Sequence, residues 1–230
     1  WNGQIAGRLY HTAQSQADFP VIGDWVLFKP SADDTAIIQQ VLLRQTKVSR
    51  DTGTRRGDRM GTEEQVIAAN IDTVFLVSAA DDDFNPRRLE RYLTLVWGGG
   101  AEPVIILNKI DVCDDFVEKI AVLEEIAMGT PIVPLSAKEK NGIEALDPFL
   151  IPQKTIALLG SSGVGKSTLI NAILGEERLA VAEIGDYKDK GRHTTTHREL
   201  IMLKNGTLLI DNPGMRAVQI WDGEEGLSRS

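Results

Sequence analysis

The feature that most constrains the fold is a glycine-rich segment that follows an apolar strand and precedes a helix. The pattern predicts the strand over Thr155–Leu159 and the helix over Lys166–Leu174. Glycines let backbone N–H groups converge on a phosphate, and the first turn of a helix adds partial positive charge. The sequence therefore predicts a phosphate-binding loop within an α/β sheet, formed by Gly160, Ser161, Ser162, Gly163, Val164, Gly165, Lys166, Ser167 and Thr168.

The pattern around this loop favours a mostly parallel sheet with helices on both faces. From about residue 67, apolar β-branched segments alternate with helical ones, as they do in a parallel sheet. Two further helices are predicted over Pro86–Trp97 and Asp115–Ala127. The other strands are predicted over Thr73–Ser78, Val104–Leu107, Ile132–Leu135, Leu200–Leu203 and Thr207–Ile210.

The first 67 residues have a different pattern, which predicts a small all-β barrel. Extended segments are predicted at Gln4–His11, Trp25–Lys29 and Ala36–Leu43, with turn residues between them. This part has eight basic and eight acidic residues, whereas the whole chain has a net charge of −8. Six of its basic residues are close in sequence, which fits either a surface that faces phosphate groups or a solvated loop: Arg44, Lys47, Arg50, Arg55, Arg56 and Arg59.

A second motif indicates which base is bound. Asn108, Lys109 and Asp111 follow the strand predicted at Val104–Leu107 and match the Asn-Lys-x-Asp pattern of guanine-specific proteins. The Asp111 carboxylate can accept hydrogen bonds from the ring N–H and the exocyclic amine of guanine, whereas adenine offers no such pair of donors. Asn108 would tie this segment to the phosphate loop, and the stem of Lys109 would cover the base. The motif therefore predicts a guanine nucleotide.

A third motif follows the next predicted strand. Ser136, Ala137 and Lys138 match a Ser-Ala-Lys pattern that would donate a backbone N–H to the carbonyl oxygen of guanine. A turn with a lysine is commonplace, so the position of this motif after Asp111 is what supports the interpretation.

The residues that would bind the phosphates and Mg²⁺ come from separate segments. Lys166 can reach the β- and γ-phosphates, and Ser167 can place its hydroxyl on Mg²⁺. After the last predicted strand, Asp211 would hold the water shell of Mg²⁺, and Gly214 would offer its N–H to the γ-phosphate.

A threonine of the polar segment 191–196 would also coordinate Mg²⁺ when GTP is bound. We favour Thr195, although the sequence does not separate it from Thr194 and Thr196. A loop that is held by the γ-phosphate and Mg²⁺ relaxes after hydrolysis, so this segment is predicted to act as a switch.

Catalysis would need a group that orients the attacking water. Many GTPases place a glutamine directly after the glycine of the Asp-x-x-Gly motif, but this position is Met215, which cannot orient water. His193 lies in the switch segment, and an imidazole can hydrogen-bond water near neutral pH. His193 and Lys166 are the predicted catalytic residues. For His193, the alternative is a surface histidine or one that contacts a partner.

The guanine motifs precede the phosphate loop, which reverses the order found in most GTPases. With this order, the chain resembles the circularly permuted GTPases that depend on the small ribosomal subunit, the RsgA or YjeQ family. The resemblance covers essentially the whole chain. It is carried by residues 21–26, 70–72, 83–93, 108–111, 160–168, 191–196 and 211–214.

The resemblance implies an OB-fold over residues 1–67 that contacts RNA and a permuted GTPase domain over 68–222. Residues 223–230 would begin a linker to a zinc-binding domain, whose cysteine and histidine ligands lie outside this chain. The resemblance also implies that His193 acts in catalysis. The cofactors would be GTP or GDP with Mg²⁺, and Zn²⁺ would belong only to the C-terminal domain.

The leading interpretation is a monomeric GTP-hydrolysing factor in late maturation of the small (30S) ribosomal subunit, which binds 16S rRNA and is stimulated by the subunit. One alternative is a GTP-controlled RNA-binding module with little catalysis of its own. Another is a GTPase that acts on tRNA or at a membrane, although no basic amphipathic helix is predicted. With one cysteine and no pattern typical of a signal peptide, we expect a cytoplasmic protein.

Overall fold

The structure, a computed structural model, describes residues 2–31, 34–56, 59–179 and 199–211, with the backbone alone over 51–56 and 59–63. Within these ranges, no helix combines the length and the apolar character needed to span a membrane. The helices are α1 (Gly7–Thr12), α2 (Pro86–Gly98), α3 (Phe116–Ala127) and α4 (Lys166–Leu174). The strands are β1 (Asn2–Ile5), β2 (Val26–Pro30), β3 (Thr35–Val41), β4 (Lys47–Arg56), β5 (Arg59–Ala69), β6 (Thr73–Ala79), β7 (Glu102–Asn108), β8 (Ile132–Pro134), β9 (Thr155–Leu159), β10 (Glu199–Met202) and β11 (Leu208–Asp211).

Six strands form one sheet in the order β10-β11-β9-β6-β7-β8. Every pair in this sheet is parallel except β10 and β11, which are antiparallel. The predicted mostly parallel sheet is therefore confirmed. The bounds of β9 and α4 are those predicted, and β10 and β11 each differ from the prediction by one residue.

Helices cover both faces of this sheet, as the alternation of side chains along β6 shows. Val74 and Leu76 point into one apolar cluster, and Phe75 and Val77 point into another. Successive side chains of a strand point to opposite faces, so the two clusters lie on the two sides of the sheet. Helices α2 and α3 cover the first face, and α4 with the 3₁₀ segment Ile143–Phe149 covers the second.

Helix α2 begins directly after the loop that leaves β6. The Oδ1 of Asn85 accepts the N–H of Arg88 at 3.0 Å, and Pro86 occupies the first turn, which are two features of a stable helix start. The helix ends at a run of glycines, where Gly100 has a φ of 83°. The capped start fixes the point at which the loop before α2 enters the helix.

The first part of the chain forms a three-stranded sheet, β1-β3-β2, and a long hairpin of β4 and β5. The prediction of extended structure over Gln4–His11 is wrong beyond Ile5, because residues Gly7–Thr12 form α1. The N–H of Ala6 still donates to Ile38, but from there local bonds replace the pairing with β3. None of the side chains of α1 is buried, so no core contact imposes a strand there.

The structure also corrects the interpretation of Arg44 as part of an exposed basic surface. Its side chain is 14% exposed and donates to both carboxylate oxygens of Asp24, at 2.8 and 2.7 Å. It also donates to the carbonyl oxygens of Ala17 and Phe19. The Asp24 side chain is only 1% exposed, so Arg44 neutralises a buried carboxylate.

We expect Arg44→Leu to lower the free energy of unfolding by about 3 kcal/mol, because removing one partner of a buried ion pair leaves the other charge uncompensated. Urea unfolding followed by circular dichroism measures the change. Arg8→Leu, at an exposed position of α1, is the control and should stay within about 0.5 kcal/mol of the parent. Equal effects of the two changes would show that the Asp24 contact contributes little.

Candidate nucleotide-binding site

Those predicted functional residues that the structure describes lie at one edge of the six-stranded sheet. In parallel strands all carboxyl ends lie at the same edge, where ligands of α/β proteins bind. The phosphate loop follows β9, the Asn-Lys-x-Asp segment follows β7, and the Ser-Ala-Lys segment follows β8. Strand β6 lies between β9 and β7, so the loop after β6 separates the phosphate loop from the base-binding segment.

The ammonium of Lys166 is buried inside the phosphate loop. The side chain lies at the start of α4 and the residue is 7% exposed. Its Nζ donates to the carbonyl oxygen of Gly160 at 2.6 Å and also to that of Ser161. Phosphate oxygens are stronger acceptors for an ammonium than neutral carbonyls, so this cation can transfer its bonds to a nucleotide.

Two glycines of the loop are required by close backbone contacts. A Cβ on Gly160 would lie 2.3 Å from the carbonyl oxygen of Val77 in β6. Gly165 has a φ of +93°, and a Cβ there would lie 2.3 Å from Nδ2 of Asn108. Only glycine can occupy these two positions without a steric clash. The loop can therefore pass close to β6 and to the base-binding segment.

Asn108 connects three loops of the site. It is 2% exposed; its Nδ2 donates to the carbonyl oxygen of Val164 at 2.8 Å, and its Oδ1 accepts the N–H of Ala137 at 2.9 Å. The predicted tie to the phosphate loop is confirmed. The N–H of Ala137 is engaged with Asn108, while Ser136 is buried and Lys138 is exposed.

The other two residues of the base-binding motif differ in exposure: Asp111 is exposed, and Lys109 is partly buried in an ion pair. Asp111 is exposed, in the 3₁₀ turn Ile110–Val112. Lys109 has a left-handed backbone with a φ of 66°, and its ammonium donates to Oδ2 of Asp81 at 2.7 Å. The predicted contacts of Asp111, and of the Lys109 stem with a base, stay predictions.

Sequence reasoning assigned no role to the loop after β6, which we call the acidic loop, Asp81–Asn85. Its Asp83 accepts the hydroxyl of Ser161 on the phosphate loop at 2.6 Å, and its Asp81 binds Lys109. Partial burial raises the pKa of Asp81, but the Lys109 hydrogen bond lowers it, and the net pKa lies below its usual value. The signal in the sequence was the position of these carboxylates directly after a strand that ends at the same edge.

The residues predicted to bind Mg²⁺ include two that the structure describes. Ser167 lies in the first turn of α4, and Asp211 is buried at the end of β11, which pairs in parallel with β9. A hydroxyl and a carboxylate are oxygen ligands of the kind that Mg²⁺ prefers, so this donor set fits the ion. His193, Thr195 and Gly214 lie outside the described residues, and their roles stay predictions.

Comparisons with known proteins identify the family to which the chain is similar. Residues 41–221 match the family model described as RsgA GTPase. The chain is 44% identical over 223 residues to the small ribosomal subunit biogenesis GTPase RsgA 2 of Lactiplantibacillus plantarum, covering 97% of this chain and 62% of that protein. It is 48% identical over 212 residues to the small ribosomal subunit biogenesis GTPase RsgA of Methanosarcina acetivorans, covering 92% of this chain and 56% of that protein. The chain thus spans less than two thirds of the length of these curated relatives.

A solved structure supports the same assignment at the level of the fold. YjeQ from Thermotoga maritima matches with a TM-score of 0.66 and 29% identity, covering 96% of this chain and 68% of that one. The match includes the first part of the chain as well as the six-stranded sheet, since almost all residues are covered. Together with the family model, which spans most of the chain, these findings show that the chain belongs to the RsgA GTPase family.

Proposed function

We propose that this protein is a GTP-hydrolysing assembly factor for the small (30S) ribosomal subunit, active late in maturation in the cytoplasm. The observation that carries the proposal is the double hydrogen bond of buried Asn108, which joins the guanine motif to the phosphate loop. This pair of bonds supports the proposal, because it would hold the base-binding segment and the phosphate loop together at one edge of the sheet. The names of the relatives in Lactiplantibacillus plantarum and Methanosarcina acetivorans support the ribosomal role.

In this proposal each residue of the site has a defined task. Asp111 accepts the two donors of guanine, and the segment Ser136–Lys138 donates to its carbonyl oxygen. Lys166 would neutralise charge that builds up on the phosphates. Ser167 would bind Mg²⁺ and Asp211 would hold its water shell, and the ion would supply further charge stabilisation. Gly214 would donate its N–H to the γ-phosphate, and Thr195 would coordinate Mg²⁺ when GTP is bound.

Hydrolysis is the attack of a water oxygen on the γ-phosphorus. The bond from that phosphorus to the oxygen bridging it to the β-phosphate breaks, and GDP and inorganic phosphate leave. We propose that His193 orients this water, since Met215 occupies the position of the usual glutamine. Loss of the γ-phosphate would release the switch segment. This release would signal to the subunit that the maturation step is complete.

The first strands are proposed to form an OB-type unit that contacts 16S rRNA, with the division near residue 67. Strand β5 runs to Ala69, and Val48 and Ile67 share an apolar cluster with α2, so this part packs directly against the six-stranded sheet. Of the clustered basic residues, Lys47 forms an ion pair with Glu64. Arg55, Arg56 and Arg59, near the turn of the β4–β5 hairpin, are the proposed contacts with phosphate groups.

The proposal is tested by GTP turnover of the full-length protein alone, with purified small subunits, and with large subunits as the control. We expect slow turnover alone and strong stimulation by the small subunit only. Tight GTP binding without stimulation would favour the alternative, an RNA-binding module that uses GTP to set its shape. Stimulation by tRNA or another RNA instead would replace the ribosomal partner.

We expect His193→Ala to reduce subunit-stimulated turnover by about 100-fold or more while the affinity for GTP changes less than about twofold, because general acid–base and water-orienting groups contribute 10²–10⁴-fold. Phosphate release and calorimetry measure the two quantities. His11→Ala, at an exposed position of α1, is the matched control and should behave like the parent. Turnover that survives the loss of His193 would remove it from the catalytic assignment.

A further inference from the structure

Two aspartates of the acidic loop form a continuous polar path across the site. The Oδ2 of Asp81 accepts the Lys109 ammonium at 2.7 Å, and its Oδ1 accepts the N–H of Asp83 at 3.0 Å. The Oδ2 of Asp83 in turn accepts the hydroxyl of Ser161 at 2.6 Å. The path starts on the base-binding segment and ends on the phosphate loop, so it runs parallel to the direct tie made by Asn108.

The acidic loop is held at its middle residue and at the residue just before it. Arg88, in the first turn of α2, donates to the carbonyl oxygen of Asp83 at 2.5 Å and to its Oδ2 at 2.7 Å. The carbonyl oxygen of Ala80, just before the loop, accepts the Lys119 ammonium of α3 at 2.6 Å. Because α2 and α3 pack on the sheet, Asp83 is oriented by the fold itself.

The charges along the path explain how a carboxylate can lie beside a phosphate loop. A bare carboxylate there would repel a nucleotide, but Arg88 and Lys109 each bring one positive charge to the two aspartates. Hydrogen bonds to ionised groups are stronger than neutral ones, and every link of this path includes at least one ionised group. The path can therefore restrain both loops without a net negative charge.

We propose that Asp81 and Asp83 are positioning residues that couple the base-binding segment to the phosphate loop, so that recognition of guanine and recognition of phosphate become energetically linked. The proposal rests on the proposed function, since it assumes a guanine nucleotide at this edge. Neither aspartate needs to touch the nucleotide. A change at one end of the path should alter binding at the other.

The test compares Asp81→Ala, Ser161→Ala and the double variant in the full chain. Calorimetry gives the affinities for GDP and for IDP, which lacks the exocyclic amine of guanine. Each single change should weaken GDP binding about fivefold, since the bonds are charged but partly exposed. If the path acts as a unit, the double variant should lose about fivefold to tenfold, far from the roughly 25-fold product of independent effects.

The ratio of the GDP and IDP affinities distinguishes coupling from local damage. Ser161→Ala lies on the phosphate loop, yet it should lower this ratio by about twofold or more, because the base-binding segment loses its restraint. Asp83→Asn keeps an oxygen that accepts the Ser161 hydroxyl, so it should retain more GDP affinity than Asp83→Ala. Thermal unfolding of each variant checks that the fold is intact.

Asp82→Ala is the matched control, because Asp82 lies in the same loop, is exposed and takes no part in the path. It removes the same charge and should change GDP affinity less than about twofold. Single variants that match this control, an unchanged GDP to IDP ratio, or a double variant near the product would each overturn the coupling. A parent protein that binds ADP as tightly as GDP would instead contradict the proposed function.

Discussion

Lys166→Met is expected to abolish GTP turnover and to weaken binding of a non-hydrolysable GTP analogue by about 100-fold. Methionine keeps most of the length of the side chain but removes the ammonium, which lies buried inside the phosphate loop and donates to Gly160. Hydrogen bonds from a charged group contribute about 1.5–3 kcal/mol each, and charge stabilisation in the transition state adds about 10²–10³ in rate. Calorimetry measures the affinity, and phosphate release measures the turnover.

Lys154→Met is the matched control for this change. Lys154 precedes β9 at the opposite edge of the sheet, where its ammonium forms an ion pair with Asp72 at 2.7 Å. Its loss should leave nucleotide affinity within about twofold of the parent, because an exposed ion pair contributes little to stability. Nucleotide binding that persists in Lys166→Met would show that the loop does not bind phosphate in the proposed way.

The second large effect is expected from Asp111→Asn, which should change the preferred base. The carboxylate has two acceptors for the ring N–H and exocyclic amine of guanine, whereas asparagine has one acceptor and one donor. Xanthine has a ring N–H and a carbonyl oxygen at these positions, so it pairs with asparagine. We expect GDP affinity to fall by about 100-fold or more and affinity for xanthosine diphosphate to rise, since a site built on hydrogen bonds discriminates strongly.

Competition between GDP and xanthosine diphosphate measures this preference. Asp114→Asn makes the same chemical change at an exposed position three residues further along and should preserve the preference for GDP. If Asp111→Asn still prefers GDP, the base must be recognised by other groups. The exposure of Asp111 at the edge of the sheet makes the contact with a base geometrically available.

Much of the fold and part of the site were predictable because their signals are local. The apolar run of β9, the glycines that follow and the good helix formers of α4 act over a few residues, and both elements have the predicted bounds. The tie between Asn108 and the phosphate loop was also predictable, since parallel strands bring their carboxyl ends to one edge. The roles of His193 and Thr195 rest on sequence and on the proposed function.

Other features depended on residues that are distant in sequence. Arg44 sits in a run of basic residues, yet it pairs with Asp24, 20 positions earlier, and with carbonyl oxygens near Phe19. Composition cannot show this, because the direction of a long side chain follows from the packing around it. Residues Gly7–Thr12 likewise form a helix where an extended segment was predicted, and none of their side chains is buried in a core that would impose a strand.

The sequence by itself determined the order of the strands and loops along the chain, the guanine and phosphate motifs, and their reversed arrangement. Each of these features depends on short segments whose residue types have specific backbone or hydrogen-bonding properties. Only the tertiary structure decided which charges meet: Arg44 with Asp24, Lys109 with Asp81, and Asp83 with the phosphate loop. Such pairings form because folding places side chains from different loops within hydrogen-bonding distance, and no local pattern encodes that distance.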